Sequence, residues 1–92
     1  MYNIPARLNG YTIIAAVTRV EPNGRQVSNQ EVVILGHDPG RRSGKYVTAM
    51  VSALDPSPTE WYWGYYTEDL GLAIRSLAKR SNMDSMLETV SN

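Results

Sequence analysis

Alternation of apolar and polar positions divides the 92-residue chain into extended stretches followed by one helical stretch. Residues 11–20 are rich in Ile, Val, Thr and Tyr, residue types that suit a pleated, half-buried strand. Strict alternation places Tyr11, Ile13, Ala15 and Val17 on one face. Residues 30–35 contain Val32-Val33-Ile34-Leu35, apolar on both faces, which predicts a central strand. Residues 46–54 alternate again: Val47, Ala49, Val51 and Ala53 face one way, and Tyr46, Thr48, Met50 and Leu54 the other. A fourth strand is Trp61-Tyr62-Trp63-Gly64-Tyr65-Tyr66.

This aromatic strand runs directly into the helical stretch, so residues 60–80 are the densest part of the chain. Both tryptophans and three of the six tyrosines fall in six consecutive positions, and there is no phenylalanine. Alternation puts Trp61, Trp63 and Tyr65 on one side as the expected core face, and Tyr62, Gly64 and Tyr66 on the other. One sheet face has no room for all five rings, so some are expected to meet a partner. Gly64 is costly inside a strand and marks a bulge or the close approach of another chain. Thr67 is the expected N-cap, with Glu68 and Asp69 at the positive end of the helix dipole and Lys79 and Arg80 at the negative end. Leu70, Ala73, Ile74, Leu77 and Ala78 form a stripe at helical spacing, with Arg75, Ser76 and Lys79 opposite. Gly71, unfavourable by about 1 kcal/mol against alanine, predicts tight helix–sheet packing.

Turn residues separate these elements. Residues 1–10 form a lead-in punctuated by Pro5 and Asn9-Gly10. Glu21-Pro22-Asn23-Gly24 reverses the chain between the first two strands. Residues 36–45 read as a loop, Asp55-Pro56-Ser57-Pro58 stops the third strand, and Ser81-Asn82 ends the helix. Residues 83–92 are either a short helical turn from Asp84 or a frayed tail. The expectation is a single α+β domain in the order β-β-β-β-α, an antiparallel sheet of about four strands with one C-terminal helix on one face. The other face is then bare, and that face or a sheet edge is where a partner or a second copy, giving a homodimer, would dock.

Composition narrows the function classes. Nine basic and nine acidic residues cancel, so no global field draws the chain to nucleic acid or an anionic membrane. The absence of cysteine removes disulfides, thiolate chemistry and cysteine-bearing zinc sites. The start lacks the pattern of a secretion signal and no apolar run approaches the roughly 20 residues of a membrane span, so a cytoplasmic location is expected.

Candidate chemistry is sparse. Gly40-Arg41-Arg42-Ser43-Gly44-Lys45 approaches a phosphate-binding loop, but it has three residues between the glycines, Tyr46 after the lysine and a strand next, where that loop needs four residues, Ser or Thr, and a helix. His37-Asp38 is the single histidine beside a carboxylate. As a small-enzyme centre it lacks an accompanying nucleophile or ligand set, and Asp38 accepting local backbone N–H groups in a turn is the plainer reading. Arg41, Arg42 and Lys45, joined by Arg75, Lys79 and Arg80, would contact phosphates while exposed rings stack on bases, yet a neutral chain lacks the surplus positive charge that such binding uses. No cofactor is implied. Trp61 and Trp63 are expected in the core and in contact, and Tyr62 and Tyr66 chiefly in contact.

Trp63-Gly64-Tyr65-Tyr66, an acidic cap and a helix with alanine mid-face and arginine near its end (68–80) resemble a pattern in small proteins of bacteriophages, plasmids and actinobacterial genomes. In size and style the chain also resembles the inhibitors with which phages block bacterial defence, anti-CRISPR proteins among them. MbtH-like partner proteins share a sheet-plus-helix plan, but their Ser-Leu-Trp-Pro signature is absent. The resemblance implies a non-enzymatic inhibitor or accessory factor that occupies a surface of a larger protein. The expected contact elements, the aromatic strand and the Arg41/Arg42/Lys45 loop, come from the surplus of rings over what one sheet face can bury and the lack of a catalytic set. A nucleic-acid-binding module is the alternative.

Overall fold

Five antiparallel strands, one more than the apolar pattern predicts, form a curled sheet in sequence order: β1 (Arg7–Leu8), β2 (Tyr11–Thr18), β3 (Glu31–His37), β4 (Tyr46–Ser52) and β5 (Tyr62–Thr67), followed by α1 (Leu70–Ser81). The computed structural model describes residues 4–19, 31–52 and 58–82. The turn at 21–24, the strand residues Val20, Gln30, Ala53 and Leu54, the stop at 55–57 and the segment 83–92 lie outside the described residues. The extra strand comes from the lead-in. Asn9 (φ 51°) and Gly10 (φ 86°) are both left-handed, as a two-residue hairpin turn requires, and they pair Arg7 with Thr12 and Leu8 with Tyr11.

Two bulges govern which side chains share a face. In β2, Ile13 pairs with Gly36 and Ala15 with Leu35, so Ile14 is inserted without a partner and is half exposed. An inserted residue reverses the facing of every later residue in its strand. Tyr11 and Ile13 therefore join the cluster of Val32, Ile34, Val47, Ala49 and Val51, while Ala15 and Val17, expected beside them, turn to the helix side with Leu35 and Val33. In β5, Thr48 pairs with Tyr65 and Met50 with Tyr62, leaving Trp63 and Gly64 opposite the single residue Ala49.

Both sheet faces are covered. α1 lies across β3 and β4 and reaches β5 and β2. On the other face, expected to be bare, Val32, Ile34, Val47, Ala49 and Val51 are sealed from solvent; the sheet curls so that Leu8, Tyr11, Ile4 and Trp61 close over them. The bare face expected as a docking surface is therefore not found: its central residues are buried. Among the described residues, the outer edge of β5 pairs with no other strand.

The helix begins two residues later than expected. Asp69 is the N-cap and accepts from the Leu72 N–H at 3.2 Å, while Thr67 Oγ1 accepts from the Asp69 N–H. Asn82 closes the other end in a left-handed conformation (φ 65°), the usual C-terminal geometry. The buried face is also rotated. Ala73 and Ser81 are its fully buried members, whereas Leu70 and Ile74 are exposed. Ser76, assigned by periodicity to the solvent side, meets buried Thr48 across the sheet (Oγ–Oγ1 2.7 Å). A buried hydroxyl requires such a partner, and this pair turns Ser76 toward the sheet. Gly71 makes no sheet contact; an added Cβ would meet only Asp69 Oδ1, at 3.1 Å.

Candidate functional site

The β5 bulge distributes the five rings. Trp61 packs on Tyr11 (ring centroids 5.5 Å apart) and lies partly buried against the core cluster. Trp63, expected in the core, adopts φ 56° and is 69% exposed, with Tyr62, Tyr65 and Tyr66 exposed at 37–52%. A left-handed tryptophan is uncommon and reverses the alternation that would have carried Trp63 inward. A Cβ on Gly64 would come within 2.9 Å of the far end of the Tyr66 ring, and that half-exposed ring would have to swing aside to admit it.

Arg80 secures the bulge. Its Nη1 donates to the carbonyls of Thr48 (3.2 Å) and Trp63, two acceptors beside the interrupted ladder that need a donor. Tyr62 stands edge-on to Trp63 (5.3 Å), and its hydroxyl donates to Glu31 Oε2 at 2.9 Å while Arg19 pairs with Glu31 Oε1 at 2.8 Å. Tyr65 lies on the helix side beside Leu72, Arg75 and Ser76. Tyr66 lies on the opposite side, 6.3 Å from Tyr11.

The basic loop divides by role. Arg41 stacks its guanidinium on the Tyr11 ring (4.0 Å) and donates to the Asn9 carbonyl (2.9 Å). Its Nε lies 3.1 Å from Asp38 Oδ2, near enough for the charges to pair but off the line of a hydrogen bond. Arg41 therefore ties the 38–45 loop to the β1–β2 turn, while Arg42 is exposed and Lys45 half-buried. Asp38 also accepts from the Gly40 N–H, the turn role expected of it. Gly36 and His37, expected in the loop, belong to β3, and His37 stacks on Tyr46 (4.6 Å, 10°). Among the described residues no three His, Asp or Glu side chains gather as a metal site. No helix among them is long and apolar enough to cross a membrane. The helix cations do not join the loop: Arg80 binds the bulge, whereas the loop meets residues just before the other end of α1, where the Gly44 N–H donates to Glu68.

Two phenols are held protonated above their ordinary value of 10.0. Burial does this for Tyr11, partly opposed by Arg41; burial and then the bond to Glu31 do it for Tyr62. Because the unfolded chain gives up these protons first, their contribution to stability is complete below about pH 10 and is lost as pH rises through the higher folded-state values. Tyr11→Phe removes one of the two groups and the bond to the Gly44 carbonyl. It is expected to cost about 1 kcal/mol at neutral pH and to lessen the alkaline decline. Urea midpoints of both proteins from about pH 8 to about pH 11 test this; parallel declines would contradict it.

No protein-family model matches this sequence, and neither a curated protein nor a solved structure gives a significant match.

Proposed function

We propose that this protein is a non-enzymatic binding protein that acts by occupying a surface of a larger protein through β5. Four exposed rings on an unpaired edge strand carry the reading. Tyrosine and tryptophan anchor interfaces because each covers much area at a cost of few rotatable bonds. Ring surface left in water, most of all that of Trp63, contributes on association once a partner covers it. The rest of the domain is arranged as a mount: Trp61 and Tyr11 anchor the strand from one side, and Arg80 ties down the bulge from the other. An inhibitor or accessory factor of the kind carried by mobile elements fits this arrangement, since occlusion needs a rigid edge and no reacting groups.

The test is affinity capture from the cells that make the protein, using wild type and a Trp63→Ala/Tyr65→Ala variant of unchanged circular dichroism. The expected result is one protein recovered in stoichiometric amount by wild type and reduced at least about tenfold by the variant, as loss of two aromatic anchors implies. Equal recovery by both would overturn the reading.

A further inference from the structure

The flank of α1 that looks toward β5 carries two hollows that share Lys79 and Arg80, one lined by Tyr65, Leu72 and Arg75 and the other by Trp63, and together they make up a trough. Resting on the binding role proposed above, we infer that this trough receives an acidic segment of the partner, its carboxylates on Arg75 and Lys79 and its apolar side chains on Leu72, Tyr65 and Trp63. Among the described residues no carboxylate lines the Tyr65–Lys79 end. The two ion pairs among the described residues, Arg19–Glu31 and Arg41–Asp38, leave Arg75 and Lys79 out. These two are four residues apart on one helix, a like-charge spacing that disfavours the helix by about 0.2–0.5 kcal/mol and that a bound anion would reverse.

Two observations select a protein segment over the other possible occupants. Of the trough's cations, Arg80 is spent on the Thr48 and Trp63 carbonyls and Arg19 on Glu31. What remains is a pair of charges about one helical turn apart, enough for two carboxylates but not a track for a phosphate backbone, which uses many contacts. A two-fold dimer centred on this flank brings the Arg75/Lys79 patch of one copy against the same cationic patch of the other, so it carries repulsion that an acidic segment does not. The apolar end matches the mixed character of a protein segment: Leu72 is 42% and Tyr65 39% exposed.

The probe is a short peptide alternating glutamate and leucine, titrated into ¹⁵N-labelled protein at low salt. Three controls accompany it: the same peptide with lysine for glutamate, the same with serine for glutamate, and an oligothymidylate. The glutamate peptide is expected to shift the amides of Tyr65, Leu72, Arg75 and Lys79 and the Trp63 indole. Arg75→Glu/Lys79→Glu, which alters only exposed side chains, should weaken it at least about tenfold. Equal shifts from the lysine or serine peptide, no shifts from any peptide, or a tighter response to oligothymidylate at the same resonances would each overturn the inference. In the capture experiment, loss with Trp63→Ala/Tyr65→Ala but full recovery with Arg75→Glu/Lys79→Glu would sink the acidic-segment inference alone. Recovery unaffected by the ring variant would sink the binding role itself.

Discussion

Truncating Tyr11 to alanine is expected to destabilise the protein by about 3–5 kcal/mol, the range for removing a buried aromatic ring, whereas the same truncation at Trp63 should stay within about 0.5 kcal/mol of wild type. Trp63 is the larger side chain, so size alone orders the two the other way. Tyr11 is 1% exposed and Trp63 69%. The Tyr11 ring is the hub between elements distant in sequence: it meets Trp61 and Tyr66 from the β5 region, carries the Arg41 guanidinium on its face, and donates its hydroxyl to the Gly44 carbonyl at 2.5 Å. Removing it leaves a cavity, takes away the ring under the Arg41 guanidinium and deprives the Gly44 carbonyl of its hydroxyl donor. Trp63 touches Tyr62 edge-on, and its backbone carbonyl, which Arg80 holds, survives truncation. Urea unfolding of the two variants measures the difference; equal losses would mean that the exposed ring is needed for folding.

The second large effect is expected at Gly36. Gly36→Ala should cost about 1–3 kcal/mol, as overpacking of a close-packed core does. Gly36 is buried in β3, and an added Cβ would come within 2.9 Å of the Tyr11 Cβ and 3.1 Å of Val47 Cγ1. The Tyr11 Cβ is fixed by the β2 backbone and Val47 is wholly buried, so neither neighbour gives way without moving a strand. Gly40→Ala is the control, because its Cβ would meet nothing closer than 3.5 Å. Equal denaturant midpoints for the two variants would contradict the placement of Tyr11 over Gly36.

The contrast between these sites explains which features were legible along the chain. Val32 to Leu35 and the Val47, Ala49 and Val51 row were readable because a central strand is apolar whatever surrounds it. The helix end at Ser81-Asn82 and the role of Gly64 were readable because both depend on local backbone chemistry. The bulges at Ile14 and Trp63 were not, since each is a mismatch between two strands and neither strand alone records it. They decide which side chains face out, so the expected inward Trp63 was the costliest error. Ser76 and Arg80 looked like solvent-facing residues because their partners, the Thr48 hydroxyl and the Thr48 and Trp63 carbonyls, come from distant segments. Arg41 read as a free cation for the same reason: the Tyr11 ring and the Asn9 carbonyl that hold it lie some thirty positions away. Of the candidate contact residues, Tyr62, Trp63 and Tyr66 are presented outward and Trp61 is packed inward. Tyr65, taken as core, belongs with the exposed group, and the signal for it was the glycine one position earlier.

The account rests on Trp63 being held in water by the monomer and covered in the complex. Acrylamide quenching of Trp61→Phe, in which Trp63 is the remaining tryptophan, reads this directly with and without the captured partner. Strong quenching in the free protein and protection in the complex is the expected result. Weak quenching in the free protein, or quenching that the partner leaves unchanged, would contradict the account.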